Sequence, residues 1–208
     1  MSITGVQKLT LLDYPGHVAC TLFTPGCNFR CPFCHNSLLL DDPTPPLDED
    51  EIIAFLKKRL GVLSGVAITG GEPTLQKDLK PLMSRIKELG YKIKLDSNGT
   101  NPAMLREFIS EGLVDRIAMD IKNSPAKYAE TAGVKNVNME AIEKSRDLLM
   151  TSGIDYEFRT TVVKGLHTKE SLLEAAEFIR GAKEYYLQLY KASEMVLLPQ
   201  GLSPFTAD

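Results

Sequence analysis

The stretch Gly65-Val66-Ala67-Ile68-Thr69-Gly70-Gly71-Glu72, then an amphipathic run over residues 78–89, then Lys92-Ile93-Lys94-Leu95-Asp96-Ser97-Asn98-Gly99, decides the fold. The two short runs are rich in apolar and β-branched residues, and each ends in a polar, glycine-bearing cluster. The longer run between them repeats apolar residues at helical spacing, with Pro81 tolerable in its first turn and Gly90 ending it. A strand, a helix and a strand in that order read as parallel strands joined by a crossover helix.

Outward from this unit the pattern repeats. Residues 17–24 read as the first strand. A helix opens at Asp48, with Glu51 three residues on as the partner of a capping box, and stops at Gly61. Asn101-Pro102 begins another helix as N-cap and first residue, Gly112 closes it, and residues 116–120 form the fourth strand. Residues 138–151 are helical, 156–163 form a fifth strand, Thr168 caps a helix running to Ile179, and 184–190 form a sixth strand. An eight-unit barrel usually takes about 250 residues. Six units in 208 residues therefore predict an α/β fold, a partial (β/α)6 TIM-type barrel of parallel strands, as one domain over 1–208. The run Asp41-Asp42-Pro43-Thr44-Pro45-Pro46 reads as a loop, and residues 203–208 resemble the start of a further helix.

Composition narrows the function. With 43% hydrophobic and 25% charged residues, disorder and a disulfide scaffold are excluded as classes. Twenty-four basic against twenty-seven acidic side chains supply no counterion-releasing surface for nucleic acid. No stretch approaches eighteen consecutive apolar residues and the N-terminus lacks the layout of a secretory signal. The expectation is a cytoplasmic protein with no membrane or nucleic-acid partner. A chain of this length buries enough surface to fold without a structural metal.

Three of the four cysteines fall in Cys27-Asn28-Phe29-Arg30-Cys31-Pro32-Phe33-Cys34, a CxxxCxxC run after the first strand. Four chemistries compete for it. Covalent haem attachment fits Cys31-Pro32-Phe33-Cys34-His35 but leaves Cys27 idle. Zinc with His35 as fourth ligand is possible, though closed zinc sites usually join two separated ligand pairs. A thioredoxin-like CxxC also wastes Cys27. Three soft thiolates on one compact loop suit three irons of a [4Fe–4S] cube whose fourth iron stays open, and this reading uses every residue. Cys20 lies within the first strand and reads as core filler.

The other polar clusters fall at the ends of successive strands: Gly70-Gly71-Glu72, Asp96-Ser97-Asn98-Gly99 and Asp120-Ile121-Lys122. Parallel α/β folds gather such clusters on one face, where ligands bind. Each has a plainer reading, a tight turn for the glycines and a surface ion pair for Asp120 and Lys122. His17, His35 and His167 carry no assigned chemistry, and the register of the sixth strand turns Gln188 and Tyr190 toward the site face.

Taken together, CxxxCxxC with Phe33 before its last cysteine, Gly70-Gly71-Glu72-Pro73, the Asp-Ser-Asn-Gly loop and Asp-x-Lys resemble the radical S-adenosylmethionine (radical SAM) superfamily. The wider run Leu9 to Gly16, with Phe23-Thr24-Pro25-Gly26 and the cysteine loop through His35-Asn36, is similar to the activating proteins of anaerobic ribonucleoside-triphosphate reductase. The resemblance implies that Cys27, Cys31 and Cys34 ligate a [4Fe–4S] cluster whose open iron binds S-adenosylmethionine. It places Gly70, Gly71 and Glu72 at the methionyl amino group, Ser97 and Asp120 near the ribose, Lys122 near the methionyl carboxylate, and Phe33 and Val162 near the adenine. Asp96 is a further candidate as part of a cation site. The implied reaction is reductive cleavage of S-adenosylmethionine to a 5′-deoxyadenosyl radical, which removes a hydrogen atom from a glycine of the reductase. A flavodoxin- or ferredoxin-type protein is the implied electron donor. The other readings are a radical SAM enzyme acting on another glycyl radical enzyme or on a small molecule, and a non-catalytic zinc or electron-transfer protein.

Overall fold

The computed structural model describes residues 3–41 and 44–206, so Asp42 and Pro43 of the Pro-rich loop and the last two residues lie outside the description. Seven strands form one sheet in chain order: β1 (Gly5–Thr10), β2 (Ala19–Thr24), β3 (Gly65–Gly70), β4 (Lys92–Ser97), β5 (Arg116–Asp120), β6 (Asp155–Val162) and β7 (Tyr185–Leu189). Strands β2 to β7 are all parallel, each beside its predecessor. Crossovers that always step to the next strand curl a sheet toward a barrel, and this one stays open, with β1 and β7 as its edges.

The helices are α1 (Glu49–Lys57), α2 (Leu79–Glu88), α3 (Pro102–Ser110), a short α4 (Tyr128–Thr131), α5 (Met139–Thr151) and α6 (Lys169–Phe178). Each turns an apolar stripe to the sheet. In α2 the buried stripe is Leu79, Leu82, Met83 and Ile86. Burying a side chain of that size fully stabilises the fold by about 1.5–3 kcal/mol. The caps are those the sequence supplies: Asn101 accepts from the Met104 N–H and Asn138 from the Ala141 N–H.

Four expectations are corrected. Strand β1 was not foreseen; it pairs antiparallel with β2 and is interrupted between Gln7 and Thr10. Asp48 caps α1 by accepting from the Asp50 N–H at 2.7 Å, with no box through Glu51, and α1 ends at Lys57, before Gly61. A capping box does form, at Thr168 and Ser171 on α6. Residues 203–206 are not helical, so among the described residues no helix follows β7. Instead the segment after β7 crosses back to the cysteine loop, where the N–H groups of Leu197 and Leu198 donate to the carbonyls of Cys34 and Pro32 at 3.2 and 2.9 Å.

The strands alternate strictly between their two faces. Val66, Ile68, Leu95, Ile117, Met119 and Phe158 are fully buried in the core. Their strand neighbours Thr69, Asp96, Asp120, Arg159 and Thr161 line the concave side. Cys20 is wholly buried in the apolar layer, where burial pushes its thiol up to about 12, so it is inert filler as expected. Among the described residues no helix is long and apolar enough to cross a membrane.

Candidate functional site

The C-terminal ends of β2 to β6 surround a cavity of about 260 Å³. It gathers Cys27, Cys31, Cys34, Phe33, Gly70, Gly71, Glu72, Ser97, Asp120 and Lys122, all expected from the sequence, and also Asp96 and Gln188. Val162 is the exception. Alternation along β6 sends Arg159 and Thr161 into the cavity and turns Val162 away, where it is buried. Tyr190 is also outside the lining; its ring packs 5.7 Å from that of His35, and among the described residues its buried hydroxyl has no partner.

The cysteine loop is tied down on three sides. The Gly26 N–H donates to the Leu39 carbonyl at 2.6 Å, the Arg30 N–H to the Ala132 carbonyl at 2.9 Å, and the Asn36 amide to the Gly70 carbonyl at 3.2 Å. Gly133, at φ +67°, lets the end of α4 reach this loop, since a Cβ there would sit 2.0 Å from the Arg30 carbonyl oxygen. The Asn98 amide donates to Asn28, which donates to Thr100, joining the loop to the end of β4. Burial pushes the Cys31 thiol up to about 11 and also raises Cys27 and Cys34, against the N–H groups of Phe29 and Asn36 that point at the latter two sulfurs. These raised values are the reverse of what a thioredoxin-like redox pair needs.

A metal fits this donor set in one form better than another. Among the described residues no three His, Cys, Asp or Glu side chains are disposed to hold a single ion, as the zinc reading would require. Three thiols bound to three corners of a cube need not converge on one point, and three soft sulfurs facing one cavity, with a Phe29 N–H 3.3 Å from the Cys27 sulfur, match the ligands of an iron–sulfur cluster.

Against the start of the cysteine loop lies a bracket of neutral donors. Gly71 has no room for a side chain, because a Cβ would fall 1.9 Å from the Gly26 carbonyl oxygen, which accepts from the Glu72 N–H at 2.8 Å. Glu72 is almost fully buried. Its Oε1 accepts from the Thr74 N–H, the Thr74 hydroxyl and the Ser97 hydroxyl at 3.1, 2.6 and 3.0 Å, and its Oε2 accepts from the Asn98 N–H at 2.7 Å. Glu72 and Ser97 thus bind each other, and the carboxylate staples the loop after β3 to the loop after β4. Burial raises its pKa despite the four donors.

The third wall is ionic. Lys122 donates to Asp120 Oδ2 at 2.9 Å, Arg159 grips Asp120 Oδ1 through Nε and Nη2 at 3.1 and 3.0 Å, and its Nη1 reaches Asp96 Oδ2 at 3.3 Å. Lys94 completes the chain on Asp96 Oδ1 at 2.5 Å. Burial opposes ionisation of Asp120, but Lys122 and Arg159 outweigh it and hold the carboxyl well below the usual range. The main chain of Lys122 is fixed by His167, whose Nδ1 accepts from the Val163 N–H at 3.2 Å and whose Nε2 lies 2.8 Å from the Lys122 carbonyl. Arg159 and His167 are the residues that reading the sequence missed. For Arg159 a signal existed: Glu157, Arg159 and Thr161 share one side of a strand whose other side is Tyr156 and Phe158.

Comparison with known proteins agrees with this geometry. The family model described as the radical SAM superfamily matches residues 21–179. A Methanocaldococcus jannaschii protein, provisionally named a glycyl-radical enzyme activating enzyme, is 32% identical over 199 residues, covering 92% of this chain and 81% of that one. A GTP 3′,8-cyclase of Helicobacter pylori is 26% identical over 86% of this chain, which spans only 57% of the cyclase. The structure of Streptococcus suis SuiB bound to S-adenosylmethionine superposes with a TM-score of 0.67 at 17% identity, over 85% of this chain and 43% of SuiB. The chain belongs to the radical SAM superfamily. Membership implies an iron–sulfur cluster and S-adenosylmethionine as its cofactors.

Proposed function

We propose that this chain is a glycyl-radical activase whose protein substrate is an anaerobic ribonucleoside-triphosphate reductase. The observation that carries the activase reading is similarity to the M. jannaschii protein across 92% of the chain, and the choice of the reductase rests on the resemblance of the run Leu9 to Gly16 and of the cysteine loop through Asn36. The placement of three thiols, the Glu72 bracket and the Asp120–Lys122 pair around one cavity supports it.

In this reading Cys27, Cys31 and Cys34 would hold a [4Fe–4S] cluster, whose chemistry, with a flavodoxin- or ferredoxin-type electron donor, would be one-electron cleavage of S-adenosylmethionine. Binding costs the three thiols their protons, so cluster assembly is favoured as pH rises toward their raised values. Lys122 spends one donor on Asp120 and offers the rest of its ammonium to the methionyl carboxylate. Glu72 Oε2, with one donor, keeps a lone pair for the methionyl ammonium. Ser97 acts through Glu72 and lies near the ribose, while Phe33 and Thr161 mark the adenine side, with Thr161 on the cavity wall and Val162 beside it in β6, facing away.

The test is anaerobic reconstitution with iron and sulfide, then dithionite and S-adenosylmethionine, with and without the purified reductase. 5′-Deoxyadenosine together with a glycyl radical signal on the reductase is expected. Deoxyadenosine without that signal would move the assignment to another glycyl radical enzyme or a small molecule, the direction in which the cyclase similarity points. Cys31→Ala should lose cluster absorbance and deoxyadenosine formation together while keeping the helical circular dichroism of the parent.

A further inference from the structure

Every strand of the sheet but two is hydrogen-bonded on both sides, and of the two edges β7 is the barer: Tyr186, Leu187, Gln188 and Leu189 are all exposed. The parallel pairing with β6 settles which backbone groups are free. The Phe158 N–H donates to the Glu184 carbonyl and the Tyr190 N–H to the Val162 carbonyl, so the even-numbered residues of β7 face β6. Tyr185, Leu187 and Leu189 therefore point their N–H and C=O groups outward, and among the described residues those of Leu187 and Leu189 have no hydrogen-bond partner. Among the described residues the chain after β7 does not fold back over this edge; it leaves for the cysteine loop and for Lys164, whose N–H and carbonyl pair with Ser203.

The side chains give the edge a direction. Gln188, which faces Thr161 in the register, lines the cavity from β7. Leu187 and Leu189 stand on the opposite face, 56% and 67% exposed. A row of alternating donors and acceptors at strand spacing is matched by one kind of ligand, an extended main chain. The row ends beside the cavity that holds the three thiols.

Resting on the activase reading above, we infer that the protein substrate binds by strand addition: an extended segment of the partner pairs with the free edge of β7 through Tyr185, Leu187 and Leu189. Its main chain then enters the gap between β7 and β1, beside Gln188. Recognition through main-chain groups suits a glycine-bearing segment, which offers no side chain to grip at the reacting residue. Leu187 and Leu189 contact alternate side chains on the outer face of the added strand.

The test uses the reconstituted full chain and the purified reductase. Amide hydrogen exchange at Leu187 and Leu189 should slow at least ten-fold when the reductase is added, with no comparable change along β3. Leu187→Pro and Leu189→Pro each delete one outward N–H at an edge where proline is tolerated. They should weaken reductase binding at least ten-fold and leave deoxyadenosine formation without reductase within two-fold, whereas Leu187→Ser, which keeps the N–H, should weaken binding less. If the parent protein installs the glycyl radical yet the edge amides stay unprotected, or the proline variants bind as the parent does, strand addition is wrong and the activase reading stands. If the parent neither binds the reductase nor makes the radical, both fall. If the amides are protected without reductase, in step with dimer formation, the edge serves a second copy of this chain and the inference is overturned.

Discussion

Two carboxylates, Glu72 and Asp120, face the same cavity and are held in opposite ways. Glu72 sits in a neutral bracket of backbone and hydroxyl donors, with no ion pair among the described residues, and burial raises its pKa. Asp120 sits between Lys122 and Arg159 and is held ionised despite burial. The difference teaches that one wall is built for position and the other for charge. The bracket joins two loops through uncharged donors, whereas the ladder Lys94–Asp96–Arg159–Asp120–Lys122 concentrates alternating charge where a zwitterionic ligand would lie.

Breaking the ladder at its middle should have the largest effect. Arg159→Leu leaves Asp96 and Asp120 facing each other without their shared guanidinium, and urea unfolding at neutral pH should show a loss of about 3 kcal/mol. Asp120 has its pKa lowered by folding, so its contribution is present above its unfolded value, near 3.8, and is lost as pH falls through the lower folded value. The deficit of Arg159→Leu should therefore shrink in acid. Next comes Gly71→Ala, where the new methyl meets the Gly26 carbonyl and forces the two loops apart; about 2 kcal/mol is expected, with a weakened affinity for S-adenosylmethionine by equilibrium dialysis.

The smallest of the three effects is Glu72→Gln, at about 1–2 kcal/mol, because the amide NH₂ faces the Asn98 N–H and leaves it unpaired. Its pH dependence runs the other way. A buried carboxyl with a raised pKa costs stability as pH rises from its ordinary 4.5 through the raised folded value, and glutamine removes that cost. The deficit of Glu72→Gln should thus narrow as pH rises while that of Arg159→Leu widens. Parallel deficits in the two variants would show that the walls do not differ as described.

The sequence made the parallel strands, the cysteine loop and the polar strand ends legible because each rests on local pattern: β-branched runs, helical spacing, and glycines at turns. Strand β1 was not legible, since Gly5–Thr10 is an edge with three exposed residues in a row and no clean alternation. Val162 is expected at the site from the sequence, and strand alternation puts its neighbour Thr161 on the cavity wall instead. Glu72 and Ser97 were both placed at the site, but that they satisfy each other depends on two loops separated by α2, which no local pattern encodes. Local pattern puts Arg159 on one strand side with Glu157 and Thr161, but that this side and Lys94 face inward depends on the curl of the sheet.

The segment that follows β7 also governs when the site can exist. Ser37, just beyond the last cysteine of the loop, donates its hydroxyl to the carbonyl of Met195, 158 residues further along the chain, and Cys34 and Pro32 take their outer hydrogen bonds from Leu197 and Leu198. During synthesis the cysteines leave the ribosome early, yet their loop gains these braces only after nearly all of the barrel has emerged. Such long-range closure is slow to form and late in assembly. A chain cut before Met195 would therefore keep all three thiols and lose the braces that hold their loop from outside.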